Sequence, residues 1–130
     1  MRKYENIKCL HENNEPPRTH YIPYDTVEKA LNGNPEQSAF FKLLSGEWRF
    51  EYYNRDIDCA YPELPVKYKD TVKVPSCWQF TGYEKPYYTN VNYPIAVDPP
   101  YVPDDNPLGV YYREFEIPEN WIGREVYIMF

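Results

Sequence analysis

Between Tyr87 and Pro107 the chain reads YYTNVNYPIAVDPPYVPDDNP, and five prolines fall within the last fourteen residues of that stretch. Proline locks φ near about −65° and removes a backbone donor, so this density excludes both a helix and an interior strand. The stretch is therefore expected to be a stiffened loop. It also carries four tyrosines, Tyr87, Tyr88, Tyr93 and Tyr101. A rigid loop bearing aromatic rings suits the wall of a binding site, because little conformational entropy is left to lose when a ligand docks.

The rest of the chain must supply the scaffold for that loop. With 130 residues there is room for one domain with a real core. In EWRFEYY the period is two: Trp48, Phe50 and Tyr52 share one face while Glu47, Arg49 and Glu51 share the other, the mark of a half-buried strand in an antiparallel sheet. After a polar connection carrying Pro62 and Pro65, DTVKVPS predicts a second strand that Pro75 stops. GVYYREFEIP predicts a third, with Tyr111, Phe115 and Ile117 on one face beside Arg113, whose stem is expected to be buried and its head free. A turn at ENWIG leads to a fourth strand in REVYIMF. A sandwich needs roughly seven strands, so the expectation is that either the sheet closes with unusual economy or these residues are the front part of a longer protein.

Ahead of the strands, residues 1–44 read as an N-terminal arm with a short helix, and residues 45–130 as the β domain. In DTVEKALNGN, Asp25 is expected to cap the helix, Glu28 to complete a capping box and Gly33 to supply the left-handed stop. Asn34-Pro35 predicts a second brief helical turn.

Charge and cysteine content exclude several function classes. A net charge of −6 with scattered lysines and arginines offers no basic face for nucleic acid. No apolar run approaches the roughly 20 residues that span a bilayer, and MRKYENIKCLHENN lacks the apolar core of a leader peptide, so the expectation is a cytoplasmic protein without a membrane partner. Cys9, Cys59 and Cys77 are too few and too dispersed for a disulfide framework, and Cys9, His11 and His20 fall one short of a four-ligand zinc site. No phosphate loop is present, and LSGEW lacks the second glycine of a nucleophile elbow. Asp98 with Asp104 and Asp105 is the one carboxylate group suited to glycoside cleavage, but aspartates beside prolines are as readily turn formers. No catalytic residue is assigned. Asn90 and Asn92 are better candidates for a binding role, since a carboxamide matches the donors and acceptors of sugar hydroxyls and tyrosine faces pack on a pyranose. The alternative is that they satisfy the loop's own backbone.

The ordered series PPR…IPY, LLSGEWRFEY, VKVPSCWQFTGYEKPYYTNVNYPI and DPPYVPDDNPLGVYYREFEIPENWIGREVYIMF resembles the N-terminal region of glycoside hydrolase family 2 enzymes, on the bacterial β-galactosidase branch. The likeness runs from about Glu5 onward. It implies an all-β jelly-roll sandwich of the galactose-binding type, standing before two immunoglobulin-like domains and a TIM barrel. It implies retaining hydrolysis of terminal β-D-galactosides by two barrel glutamates that lie outside this chain. The asparagine of the Tyr-Thr-Asn-Val motif, here Asn90, is implied as a galactose contact with Val91 beside it. The implied partners are the galactoside, the remainder of the glycosidase chain and further copies in a homo-oligomer. No cofactor is expected in these residues, with Mg and Na held downstream. Cys77 departs from the asparagine usual between the Ser and Trp of this motif, and Tyr4-Glu5-Asn6-Ile7 departs from the usual opening. Without the family, a stand-alone carbohydrate-binding module is the alternative.

Overall fold

A computed structural model describes residues 2–60, 67–90 and 92–130. Pro62, Pro65 and Val91 lie outside the described residues. The chain divides into two compact units, one of Met1–Glu15 with Ser45–Arg113 and one of Pro16–Leu44 with Glu114–Phe130.

The first unit is built on an antiparallel sheet of β1 (Gly46–Tyr53), β2 (Asp70–Val74) and β3 (Leu108–Tyr112), in the order β2-β1-β3. The expected all-β antiparallel class is what forms. β1 is central because its alternation gives it an apolar face to bury. Trp48 lies opposite Val72, Phe50 opposite Tyr111 and Tyr52 opposite Gly109, so these side chains share that face. Phe50 is fully buried and Val72 nearly so. Burying a side chain of the size of Phe50 contributes about 2–3 kcal/mol. Its ring meets Tyr111 at 4.7 Å, Tyr83 at 4.9 Å and Trp78 at 6.2 Å between centroids, in the tilted and edge-on arrangements that ring quadrupoles favour.

The opposite face departs from simple alternation. Glu51 was expected in solvent, yet it is only 5% exposed. The register explains it: Phe50 faces Asp70, so Glu51 comes beside Lys69, whose Nζ reaches Oε1 at 2.7 Å and whose backbone N–H donates to Oε2 at 3.0 Å. Those bonds to an anion offset the desolvation that would otherwise keep a lone glutamate outside. Arg113 also differs from expectation. Its guanidinium lies 5.9 Å from the Trp48 ring centroid and Nη1 donates to the Ser45 carbonyl at 3.0 Å, so its head is engaged.

In the second unit, helix α1 (Val27–Asn32) is capped by Thr26, whose Oγ1 accepts the Lys29 N–H at 3.3 Å. Asp25, the expected cap, is one residue too early. Its carboxylate accepts from Lys29 Nζ at 2.7 Å, and that bond holds it below the ordinary aspartate range. Gly33 stops the helix at φ +69°, in the left-handed region that costs glycine nothing. Asn34 caps the brief turn Pro35–Gln37 through its Oδ1, as its pairing with Pro35 predicts. The unit is closed by polar bonds to carbonyls: Ser38 Oγ donates to Pro23 at 2.6 Å, Trp121 Nε1 to Ala39 at 2.7 Å and Lys42 Nζ to Glu116 at 2.8 Å. The predicted turn at ENWIG forms at Glu119–Trp121. The predicted strand at 124–130 does not form, and the third strand ends at Tyr112 before Phe115 and Ile117. Alternation says which way side chains would face; a strand also requires a neighbour for its hydrogen bonds.

Candidate functional site

The proline-rich loop leaves the sheet through a short turn, Trp78–Thr81, after Pro75 ends β2. Trp78 lies against Gly109 of β3, where a side-chain carbon would come within 2.3 Å of its six-membered ring. The absence of a side chain at Gly109 is what lets the indole lie there, edge-on to Tyr52 at 5.7 Å. From that seat, Trp78 Nε1 donates to Glu84 Oε2 at 3.2 Å, and Gln79 Nε2 donates to the same oxygen at 3.1 Å. Glu84 thus fixes the outgoing end of the loop. Tyr83 is pinned beside it by rings at 4.9 Å (Phe50) and 5.4 Å (Tyr52), and burial followed by a hydrogen bond to Asp70 pushes its phenol up to about 12. Burial, then the charge of Glu84, also raises Tyr52 above the ordinary tyrosine range.

The returning end is held by the first residues of the chain. The Tyr101 N–H closes a turn onto the Asp98 carbonyl at 2.8 Å. Beyond it, Glu5 accepts the Val102 N–H on Oε1 at 3.3 Å and the Arg2 N–H on Oε2 at 2.8 Å. These two backbone bonds hold the Glu5 carboxyl below the ordinary range, and the residue is 7% exposed. The Arg2 guanidinium completes the clamp by donating to the carbonyls of Val102 at 3.1 Å and Pro103 at 3.5 Å and to the Asp104 carboxylate. Asp56 accepts from the Tyr4 hydroxyl, stands 3.6 Å from Arg2 Nη1, and donates its own N–H to the Asn106 carbonyl at 2.8 Å.

Between these two fixed ends the loop presents its side chains outward. Tyr87, Tyr88, Tyr93 and Val97 are all well exposed. Asn90 is exposed, and its Nδ2 donates to the Tyr88 hydroxyl at 3.1 Å, which leaves the Asn90 carbonyl oxygen and further amide capacity facing solvent. Asn92 is exposed as well. Val91, expected beside the sugar, lies outside the described residues. Of the carboxylates weighed for catalysis, Asp104 is occupied by Arg2. Among the described residues no three His, Cys, Asp or Glu side chains converge as a metal-binding group, Cys9, His11 and His20 included. No helix of the described residues is long and apolar enough to cross a membrane.

Sequence reasoning anticipated the loop but missed the residues that tie it down, Arg2, Glu5, Asp56 and Glu84. Glu84 had a faint local signal, a carboxylate six residues after a tryptophan whose N–H needs an acceptor. For the other three the bonds that hold the loop run to residues far along the chain, and only the short Glu5 bond to the Arg2 N–H is local.

Residues 41–130 match the family model described as the sugar binding domain of glycosyl hydrolases family 2. A β-galactosidase of Actinobacillus pleuropneumoniae is 37% identical over 114 residues, which cover 88% of this chain and 11% of that protein. One from Pectobacterium atrosepticum is 37% identical over 124 residues, 94% of this chain and 12% of the relative, and one from Psychromonas ingrahamii is 35% identical over 133 residues, 99% and 13% respectively. The chain therefore spans about an eighth of the length of these relatives.

Proposed function

This chain belongs to the sugar-binding domain family of the family 2 glycosyl hydrolases, and from that premise we propose that it is the sugar-binding region of a retaining β-galactosidase acting on terminal β-D-galactosides. In this reading the clamped loop is lent to an active site whose two catalytic glutamates, along with any Mg or Na, belong to the remainder of the enzyme chain. Asn90 is the galactose ligand, and Val91 lies beside it. The observation that carries the proposal is Asn90 itself. It is an exposed carboxamide, oriented by the Tyr88 hydroxyl, on a loop tied at both ends to one compact unit.

The chemistry follows from that arrangement. Asn90 offers donors and an acceptor to vicinal hydroxyls, and a loop that is already stiff loses little entropy on binding. A contact made equally in the ground state and the transition state lowers KM; one that tightens as the oxocarbenium-like state forms raises kcat. The enzyme is expected to work in the cytoplasm and as a homo-oligomer.

The test adds this chain to a β-galactosidase of the same family from which the matching region has been deleted, and follows release from an aryl β-galactoside. Activity should appear with the wild-type chain. Asn90→Ala should raise KM about tenfold, the loss of one hydrogen bond worth about 1.4 kcal/mol. If wild-type chain restores nothing, the reading is wrong. If Asn90→Ala restores normal KM and kcat, the region is an interaction domain without a sugar contact. Calorimetric binding of galactose or lactose to the chain by itself would instead identify a stand-alone carbohydrate-binding module.

A further inference from the structure

We infer that Glu5 is a positioning residue for the aromatic loop: through the Val102 N–H and the N–H of Arg2 it ties the first turn of the chain to the returning end of the loop, and so holds the stretch that presents Asn90. The positioning part of this inference rests on the sugar-binding reading above; the clamp itself does not.

Three observations support it. The Glu5 carboxylate is nearly sealed from solvent and spends one oxygen on each side of the junction, 2.8 Å from the Arg2 nitrogen and 3.3 Å from the Val102 nitrogen. A buried carboxylate must have such partners to remain ionised, so the bonds and the burial depend on each other. The Arg2 backbone held by Glu5 in turn aims a guanidinium whose fork meets the Val102 and Pro103 carbonyls and the Asp104 carboxylate. Lastly, the prolines that stiffen this loop have no N–H to offer, and Pro99, Pro100 and Pro103 surround the junction. Residues 102–104 have no strand ladder, so the bonds to Glu5 and Arg2 take the place of one. With the outgoing end held by Glu84, cutting the return should free the segment between them.

The experiment is limited chymotrypsin digestion of the chain, following cleavage after Tyr87 and Tyr88 relative to cleavage after Tyr52 and Tyr53 in β1. Glu5→Ala should speed loop cleavage about tenfold, because cleavage of a rapidly opening segment tracks its open population, while the strand sites keep their rate. Glu5→Gln, which retains one acceptor oxygen, should fall between Glu5→Ala and wild type. Should Glu5→Ala fail to fold, Arg2→Lys removes the fork but leaves the Glu5 bonds, and should speed loop cleavage by a smaller factor. Loop cleavage within twofold of wild type in the folded variants would overturn the clamp, as would equal acceleration at the strand sites.

In the reconstituted galactosidase, Glu5→Ala should raise KM as Asn90→Ala does, with Glu5→Gln recovering part of the loss. A normal KM despite faster cleavage would overturn the positioning role. Failure of the wild-type chain to restore activity would instead defeat the galactosidase reading, and the digestion would still decide the clamp.

Discussion

Replacing Gly109 with alanine sets two effects against each other, and the structure says which should win. In a strand, glycine is the weaker residue by roughly 0.5–1 kcal/mol, so on backbone grounds alone alanine would stabilise β3. Gly109 does not need a positive φ, so nothing in the backbone opposes the change. The obstacle is Trp78. The new carbon would stand 2.3 Å from Cζ3 and 2.6 Å from Cε3 of the indole and 2.8 Å from Cε2 of Phe50, against an ordinary carbon separation of about 3.5–4.0 Å. The indole would have to move by more than an ångström, roughly the shortfall between those separations. That displacement stretches its Nε1 bond to Glu84 from 3.2 Å to beyond hydrogen-bond length. Overpacking costs about 1–3 kcal/mol and the bond to an anion adds about 1.5, of which the alanine preference returns less than one. The net expectation is a destabilisation of about 2–3 kcal/mol, measured as a lower urea midpoint with unchanged slope in tryptophan fluorescence. A double-mutant cycle isolates the cause: in a Trp78→Leu background, where the indole has gone, the same alanine should cost under about 1 kcal/mol. Equal penalties in both backgrounds, or a Gly109→Ala chain as stable as wild type, would refute the steric argument.

Phe50→Ala should cost about 3–5 kcal/mol, since this ring is fully buried beneath Trp78, Tyr83 and Tyr111; a loss of unfolding free energy below about 1 kcal/mol in urea titration would show that the rings are not one core. Tyr83 makes the fold sensitive to alkali. Its phenol titrates near 12 in the folded chain against 10.0 ordinarily, so its neutral form is favoured by folding, and its contribution is complete below pH 10 and disappears as the pH rises through about 12. Urea midpoints should therefore fall less steeply between those values for Tyr83→Phe than for wild type, and parallel curves would remove burial of this hydroxyl as the cause.

Much of the scaffold was legible along the chain because its causes are local. The two-residue period of EWRFEYY placed Phe50 on the buried face, and Pro75 ended β2 where its missing donor required. Gly33 and Asn34 marked a helix stop and a turn start through their own backbone preferences. The helix cap itself fell to Thr26 although aspartate is the better cap former, because the backbone entry put Thr26 at the cap position. The same alternation in REVYIMF produced no strand, because periodicity orients side chains without supplying a partner.

By itself, the sequence determined that residues 87–107 would be a stiff, tyrosine-bearing loop beside an antiparallel sheet, and put Asn90 on that loop; these follow from proline geometry and from side-chain alternation, which act over a few residues. Only the tertiary structure decided what holds the loop and what is buried beneath it. Glu5 meets Val102 across 97 positions, Trp78 needs the bare backbone of Gly109, and Glu51 is drawn inside by Lys69. Each of those contacts is set by strand register and chain return, and neither is written in the residues that make the contact.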